Sequence, residues 1–111
     1  MDARELLGKR IRSIRSQMGL SQEEVAFRCG MQPSHIGFLE RGQRNPSLET
    51  LERLALGLGI SLSELFDYDQ EPKVQMYDET TNKILSLVIP LNPAEKKQVH
   101  AIVKAFVKKP K

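Results

Sequence analysis

The 111-residue sequence has little of what marks several large classes of protein. It contains one cysteine, no tryptophan and only 5% aromatic residues. A single cysteine cannot form an internal disulfide, which suits a reducing cytoplasm. No run of about eighteen apolar residues exists that could span a membrane, and residues 1–5 lack the architecture of a signal peptide. We therefore expect a cytoplasmic chain without a membrane segment.

The sequence patterns of enzymes and metal sites are missing as well. There is no glycine-rich phosphate loop, no nucleophile elbow and no Cys/His spacing of the kind that holds zinc. Glu23 and Glu24 are adjacent carboxylates, but they stand where a helix is predicted to begin, which explains them. We interpret Cys29 as a small core residue. The sequence predicts no enzymatic activity, no cofactor and no bound metal.

The net charge of +3 is unevenly distributed. Residues 1–66 carry nine Lys/Arg and eight Asp/Glu, and residues 67–79 carry five acids and one lysine. Residues 80–111 carry seven lysines and one glutamate, so the positive excess lies at the C-terminal end. A chain of this length allows one small domain plus an appendage.

Residues 20–42 are predicted to form two short helices joined by a tight turn. Ser21, followed three residues later by a glutamate, has the pattern of a capping box. Gly30 permits the left-handed backbone that ends a helix, and Gln32 with Pro33 suits the start of the next one. Two helices joined so closely cross steeply and leave one projecting. Proteins use that geometry to place a helix in the major groove of DNA.

Three further helices are predicted around the same core, and no strand-like alternation is present. The inward positions of the first helix are Leu6, Leu7, Ile11, Ile14 and Met18, with Lys9, Arg10, Arg12 and Arg15 on its other sides. A fourth helix, capped by Ser47, has Leu48, Leu51, Leu54, Ala55 and Leu58 as its inward stripe. A fifth, with Ser61 and Glu64 as a capping box, is expected to bury Leu62, Leu65 and Phe66.

These segments resemble the phage-repressor and Cro-like (XRE) helix-turn-helix family. The resemblance covers residues 5–66 and is carried by four blocks in order: Leu20–Ala26, Ile36–Gly42, Asn45–Leu51 and Leu58–Phe66. It implies an all-α protein, with a five-helix lambda-repressor-like DNA-binding domain in residues 1–66. It also implies a transcriptional regulator, with repression as the expected mode and double-stranded DNA as its partner.

The resemblance also implies which side chains contact DNA. The family's base-reading positions fall on Gln32, Pro33, Ser34, Gly37 and Phe38. By their chemistry and position, Gln22 and the loop residues Arg41, Arg44 and Asn45 are expected to meet backbone phosphates. His35 either donates to a phosphate or packs at the rim of the helix, and Phe38 either makes apolar contact with a base or folds back onto the domain. Pro33 and Gly37 offer no side-chain hydrogen bond, so specificity is expected to depend on the remaining positions and on DNA shape. Arg15 and Glu40 match the family's internal ion pair, which orients the reading helix.

Residues 67–79 are predicted to be an acidic linker, and residues 80–111 a C-terminal helical hairpin. Apolar residues crowd the segment 81–89, and Pro90 is expected to end that helix. Asn92, Pro93 and Glu95 then favour a new helix start. The apolar positions of the hairpin are Ile84, Leu85, Val88, Val99, Ile102, Val103 and Phe106, flanked by Lys96, Lys97, Lys104 and Lys108.

A hairpin of this size cannot bury both faces alone, which leaves three possibilities for the tail. It can cover the core of the first domain. It can pair with its own copy as a dimerisation element, giving a homodimer on a palindromic operator. It can also bind another protein, as in an antitoxin-like interaction module. We favour dimerisation, because the first domain already looks complete in the sequence.

Overall fold

The computed structural model describes residues 1–107, and within them the chain forms helices and no strand. The helices are α1 (Ala3–Met18), α2 (Gln22–Cys29), α3 (Pro33–Glu40), α4 (Leu48–Leu58), α5 (Leu62–Phe66), α6 (Glu79–Val88) and α7 (Pro93–Val107). The all-α fold class is therefore confirmed. Lys108 and residues 109–111, the last four of the predicted tail, lie outside the described residues.

Helices α1 to α5 enclose one hydrophobic core. α1 packs against α3 and α5, and α2 packs against α3 and α4. The largest fully buried side chains are Ile11, Ile14, Val25, Ile36, Leu39, Leu54 and Leu65. Each such side chain contributes about 1.5–3 kcal/mol by leaving water, so this core stabilises the unit that carries α2 and α3.

The turn between α2 and α3 forms as its residues predict. Ser21 Oγ accepts a hydrogen bond from the Glu24 backbone N–H, and the Glu24 carboxylate accepts one from the Ser21 N–H. Gly30 ends α2 with a φ of 66°, a left-handed conformation that side chains with a Cβ rarely adopt. Gln32 makes no side-chain capping bond, contrary to expectation, because glutamine lacks the short side chain of a good N-cap.

Two positions of the predicted core, and one position predicted to be solvated, differ in the structure. Leu48 is 67% exposed, because it is the first residue of α4 and lies before the turn that meets the core. Phe66, at the end of α5, is also exposed, with its ring edge-on to that of Tyr68. Arg10 is buried rather than solvated. Its Nε and Nη2 donate to the carbonyl of Glu64, which ties α1 to α5.

The segment between α5 and α6 is exposed but attached to the domain. Arg10 Nη1 donates to the Gln70 carbonyl over 2.6 Å, and Gln17 Nε2 donates to the Glu71 carboxylate over 3.3 Å. Further along, Val74 packs against the core. These contacts hold the chain along the domain surface on its way to α6.

Helix α6 lies against α2. It runs from Glu79 to Val88, slightly earlier than expected, because Asp78 accepts a hydrogen bond from the Thr81 N–H and caps it. Arg28 of α2 is 3% exposed and donates to Ser86 Oγ and to the backbone carbonyl of Asn82.

Helix α7 projects from the rest of the structure. None of its residues is buried, and it does not pack along α6, so the two helices of the expected hairpin are present but diverge. Its start is capped reciprocally by Asn92 and Glu95, over 2.8 and 3.0 Å. The molecule is accordingly elongated, measuring 57 × 25 × 22 Å. In residues 1–107, no helix has the length and apolar character needed to cross a membrane.

Candidate nucleic-acid interface

The outer side of α3 and the start of α2 form a shallow concave surface. Its lining residues are Arg15, Ser21, Gln22, Glu23, Pro33, Ser34, Gly37, Phe38 and Arg41. This surface unites residues from both helices of the predicted motif with the first residue after α3. The surface is open to solvent, and an open surface of this kind can accommodate a long polymer such as a DNA duplex.

The predicted base-reading residues occupy different environments on α3. Gln32, Pro33 and Ser34 are exposed at its N-terminal end, the part of a recognition helix that usually meets base edges. Phe38 and His35 are half-buried. Gly37 is buried, although it lines the concave surface. It lies close to the side chains of Gln22 and Arg41.

The ring of Phe38 holds two guanidinium groups. The Arg41 guanidinium carbon lies 5.2 Å from the ring centroid and that of Arg44 lies 4.7 Å from it. Both distances are within the range of cation–π attraction. Arg41 Nε also donates to Gln43 Oε1 over 3.0 Å. Two positive side chains are thus ordered around one aromatic residue at the end of α3.

Arg44 and Asn45 lie in the exposed loop between α3 and α4, which begins beside Phe38. Their side chains face solvent, where a guanidinium and an amide can each donate hydrogen bonds to phosphate oxygens. Together with Arg41 they put positive charge and donors beside the reading helix. The local arrangement is basic although residues 1–66 are nearly neutral.

Arg15 and Glu40 form the internal ion pair that the resemblance implied. Arg15 Nε lies 2.6 Å from Glu40 Oε2, and Arg15 Nη2 donates to Glu40 Oε1 over 3.0 Å. Gln22 Nε2 donates to the same Oε1 over 3.0 Å. The Glu40 carboxylate therefore joins α1, α2 and α3 at one point. This fixes the orientation of α3 and uses one donor of the Gln22 amide that was expected to meet a phosphate.

Sequence reasoning missed the residues that attach the tail to this motif. Burial lowers the pKa of the Arg28 guanidinium, although the nearby Glu24 carboxylate opposes the shift. Asn82 and Ser86 supply its hydrogen bonds from α6. The sequence held one signal for this contact: Arg28 directly precedes Cys29, which was predicted to lie in the core, so Arg28 stands next to the inward side of α2. Among residues 1–107, no cluster of three His, Cys, Asp or Glu side chains could hold a metal ion.

Comparison with known proteins supports this picture over 59% of the chain. A family model described as "Helix-turn-helix" matches residues 11–65. An uncharacterized HTH-type transcriptional regulator, y4dJ of Sinorhizobium fredii, is 46% identical over 65 residues, which are 59% of this chain and 84% of that protein. The crystal structure of the restriction-modification controller protein C.AhdI from Aeromonas hydrophila superposes with a TM-score of 0.55 at 47% identity. That match covers 56% of this chain and 94% of C.AhdI.

One relative extends through the tail. The cryptic phage CTXphi transcriptional repressor RstR of Vibrio cholerae is 29% identical over 106 residues, covering 96% of this chain and 92% of that protein. Similarity thus continues beyond the five-helix unit into α6 and α7. On the matched motif, the shared fold and these relatives, the chain belongs to the XRE-type helix-turn-helix family of DNA-binding transcriptional regulators, which are not enzymes.

Proposed function

We propose that this protein is a transcriptional repressor that binds a palindromic operator as a homodimer. Residues 1–66 form its DNA-binding domain, residues 67–79 connect this domain to the tail, and residues 80–111 contain the dimerisation element. Each protomer inserts the N-terminal end of α3 into the major groove of one half-site. The two half-site centres lie about 34 Å apart, one turn of the double helix. Bound across a promoter, such a dimer excludes RNA polymerase.

The observation that carries this proposal is the ordered surface on α3. Ser34 is exposed near the N-terminal end of α3, and Phe38, one turn further along, holds the guanidinium groups of Arg41 and Arg44. The proposed DNA-contacting set is Gln22, Gln32, Pro33, Ser34, His35, Gly37, Phe38, Arg41, Arg44 and Asn45. Similarity to the repressor RstR over nearly the full length favours repression as the mode of regulation.

The dimer proposal is supported by the apolar side of α7. Ile102, Val103 and Phe106 are 70%, 51% and 77% exposed, and Val99 lies on the same side of the helix. On α6, Ile84 and Leu87 are also exposed, whereas Leu85 and Val88 are half-buried. An apolar stripe of this kind is stabilised by pairing with a second copy of itself. Arg28 fixes α6 on the domain, so α7 is the better placed of the two helices for such pairing.

Selection of bound sites from random double-stranded DNA tests the operator. We expect the wild-type chain to enrich a palindrome with half-sites one helical turn apart. The double substitution Arg41→Ala plus Arg44→Ala should lower affinity for that site and make its salt dependence shallower. Arg53→Ala, which removes an exposed arginine from α4, is the control and should leave affinity unchanged. Enrichment of no palindrome would contradict the proposal.

Light scattering coupled to size-exclusion chromatography tests the dimer. Ile102→Glu places a carboxylate in the apolar stripe of α7 and should convert a dimer into a monomer. Ala101→Glu adds the same charge on the opposite side of the helix and should leave the dimer intact. A wild-type chain that is monomeric at micromolar concentration would overturn the dimer. So would a stable complex with a different protein through α7, the outcome expected of an antitoxin-like module.

A further inference from the structure

Four residues of α3 and its C-cap share one side of the helix. Counting 100° per residue, Ser34, Gly37, Phe38 and Arg41 all lie within an arc of about 100°. Side chains on a helix also lean towards its N-terminus, so a long side chain at position 41 covers the turn that precedes it. Arg41 therefore extends over the reading side of α3 instead of away from it.

Gly37 provides the space that Arg41 occupies. A Cβ added at Gly37 would lie 3.1 Å from Arg41 Nη1 and 3.6 Å from the Gln22 side-chain oxygen. The guanidinium therefore lies where a side chain at position 37 would otherwise stand. One edge is held by Gln43, which accepts from Nε, and one face lies towards the Phe38 ring. Nη1 is the guanidinium atom nearest to the space beside Gly37, and Arg41 lines the same concave surface as Ser34.

The charges around this guanidinium favour a base over a phosphate as its ligand. Within the described residues, Arg41 is in no ion pair, whereas the neighbouring Arg15 is neutralised by Glu40. The carboxylate of Glu23 lines the same concave surface. The negative charge of Glu23 in this surface disfavours a phosphate there more than an uncharged base edge. Arg44 does not line this surface, so this argument from Glu23 does not apply to it.

We infer that Arg41 is a specificity-determining residue that reads a guanine in each half-site, with Gly37 making room for it and Phe38 and Gln43 holding it in place. The guanidinium fork donates to O6 and N7 of guanine, the bidentate contact that arginine makes most often in the major groove. This supplies the hydrogen-bonded readout that Pro33 and Gly37 cannot provide. The inference rests on the proposed function, since it requires that α3 enter the major groove.

The test compares base preferences selected from random DNA by the wild-type chain and four variants. Arg41→Ala should lose the preference for guanine at one position of each half-site, a change of about 5- to 150-fold in discrimination. Arg41→Lys keeps the charge but not the fork, so it should recover non-specific affinity without recovering the full preference. Gly37→Ala should weaken the preference at that same position, because the added Cβ displaces the guanidinium. Arg44→Ala is the matched control and should reduce affinity equally for all sequences.

Two results separate this inference from the proposal beneath it. If wild-type protein enriches an operator and Arg41→Ala weakens binding equally at every base, the operator stands and Arg41 is a phosphate contact. If wild-type protein enriches no site, both the operator and the reading of guanine are overturned. Circular dichroism of Arg41→Ala and Gly37→Ala checks that each retains the wild-type helix content. A preference that survives in Arg41→Ala, folded as the wild type is, also overturns the inference.

Discussion

Arg28 of α2 donates a hydrogen bond from Nε to the hydroxyl of Ser86 on α6, over 3.0 Å and across 58 positions of sequence. The same guanidinium donates from Nη2 to the backbone carbonyl of Asn82 over 3.2 Å. No carboxylate is within ion-pair distance of it among the described residues. Burying the Arg28 guanidinium costs desolvation free energy, and its hydrogen bonds to neutral groups fix the position of α6 on α2.

Replacing Arg28 should therefore release α6 without unfolding the domain. Arg28→Met fills a similar volume and removes the hydrogen bonds to Asn82 and Ser86. The local opening free energy of α6 should fall by about 1.5–3 kcal/mol, as expected for hydrogen bonds to a charged group. Native-state hydrogen exchange should show faster exchange in α6 with α3 unchanged. Ser86→Ala removes one bond and should have a smaller effect; equal protection of α6 in all three proteins would contradict this role.

Breaking the pair of Arg15 and Glu40 should destabilise the whole domain. Glu40→Gln is nearly isosteric but leaves a partly buried guanidinium without its counter-charge, at a cost of about 3 kcal/mol in unfolding free energy. Denaturant titration followed by circular dichroism measures the loss. Arg53→Gln is the control, because it breaks the exposed pair with Glu49 and should cost less than about 0.5 kcal/mol. Equal effects of the two substitutions would show that burial of the pair is unimportant.

Gly8 marks the closest approach of α1 to the end of α3. A Cβ at this position would lie 2.5 Å from the carbonyl oxygens of both Leu39 and Glu40, which are backbone atoms that cannot step aside. Gly8→Ala should therefore lower the unfolding free energy by about 1–3 kcal/mol, despite the better helix propensity of alanine. Thermal unfolding measures the change. Ser16→Ala, on the exposed side of α1, should be neutral or slightly stabilising.

Burial of Cys29 should make the stability of the domain decrease at alkaline pH. Burial raises the pKa of its thiol from an ordinary value of 9.0 to about 12. As pH rises through this window the unfolded chain loses the thiol proton first. The free energy of unfolding should then decrease by about 1.4 kcal/mol per pH unit. Urea titrations between pH 8 and pH 11 should show this slope in the wild type and a shallower one in Cys29→Ala. Parallel slopes would mean that the thiol is solvated.

Local signals in the sequence predicted most of the domain, because capping and hydrophobic periodicity act over a few residues. Ser21 and Gly30 cap the two ends of α2 in the structure, at the positions predicted from the sequence. Arg10 and Arg28 could not be placed in this way, since each guanidinium is bound by groups more than fifty positions away. The burial of Gly37 depends on how a neighbouring arginine lies, which periodicity does not encode.

In the proposed dimer, the short connection at residues 89–92 would set the direction of α7, because Arg28 holds α6 on the domain and no residue of α7 is buried. A helix of fifteen residues is a lever about 22 Å long. A rotation of about 10° at this connection moves its far end by about 4 Å, close to the ~3.4 Å rise of one base pair. In the proposed dimer, substitutions at residues 89–92 would change the distance between the two half-sites that the dimer can bind, without altering any residue of α3.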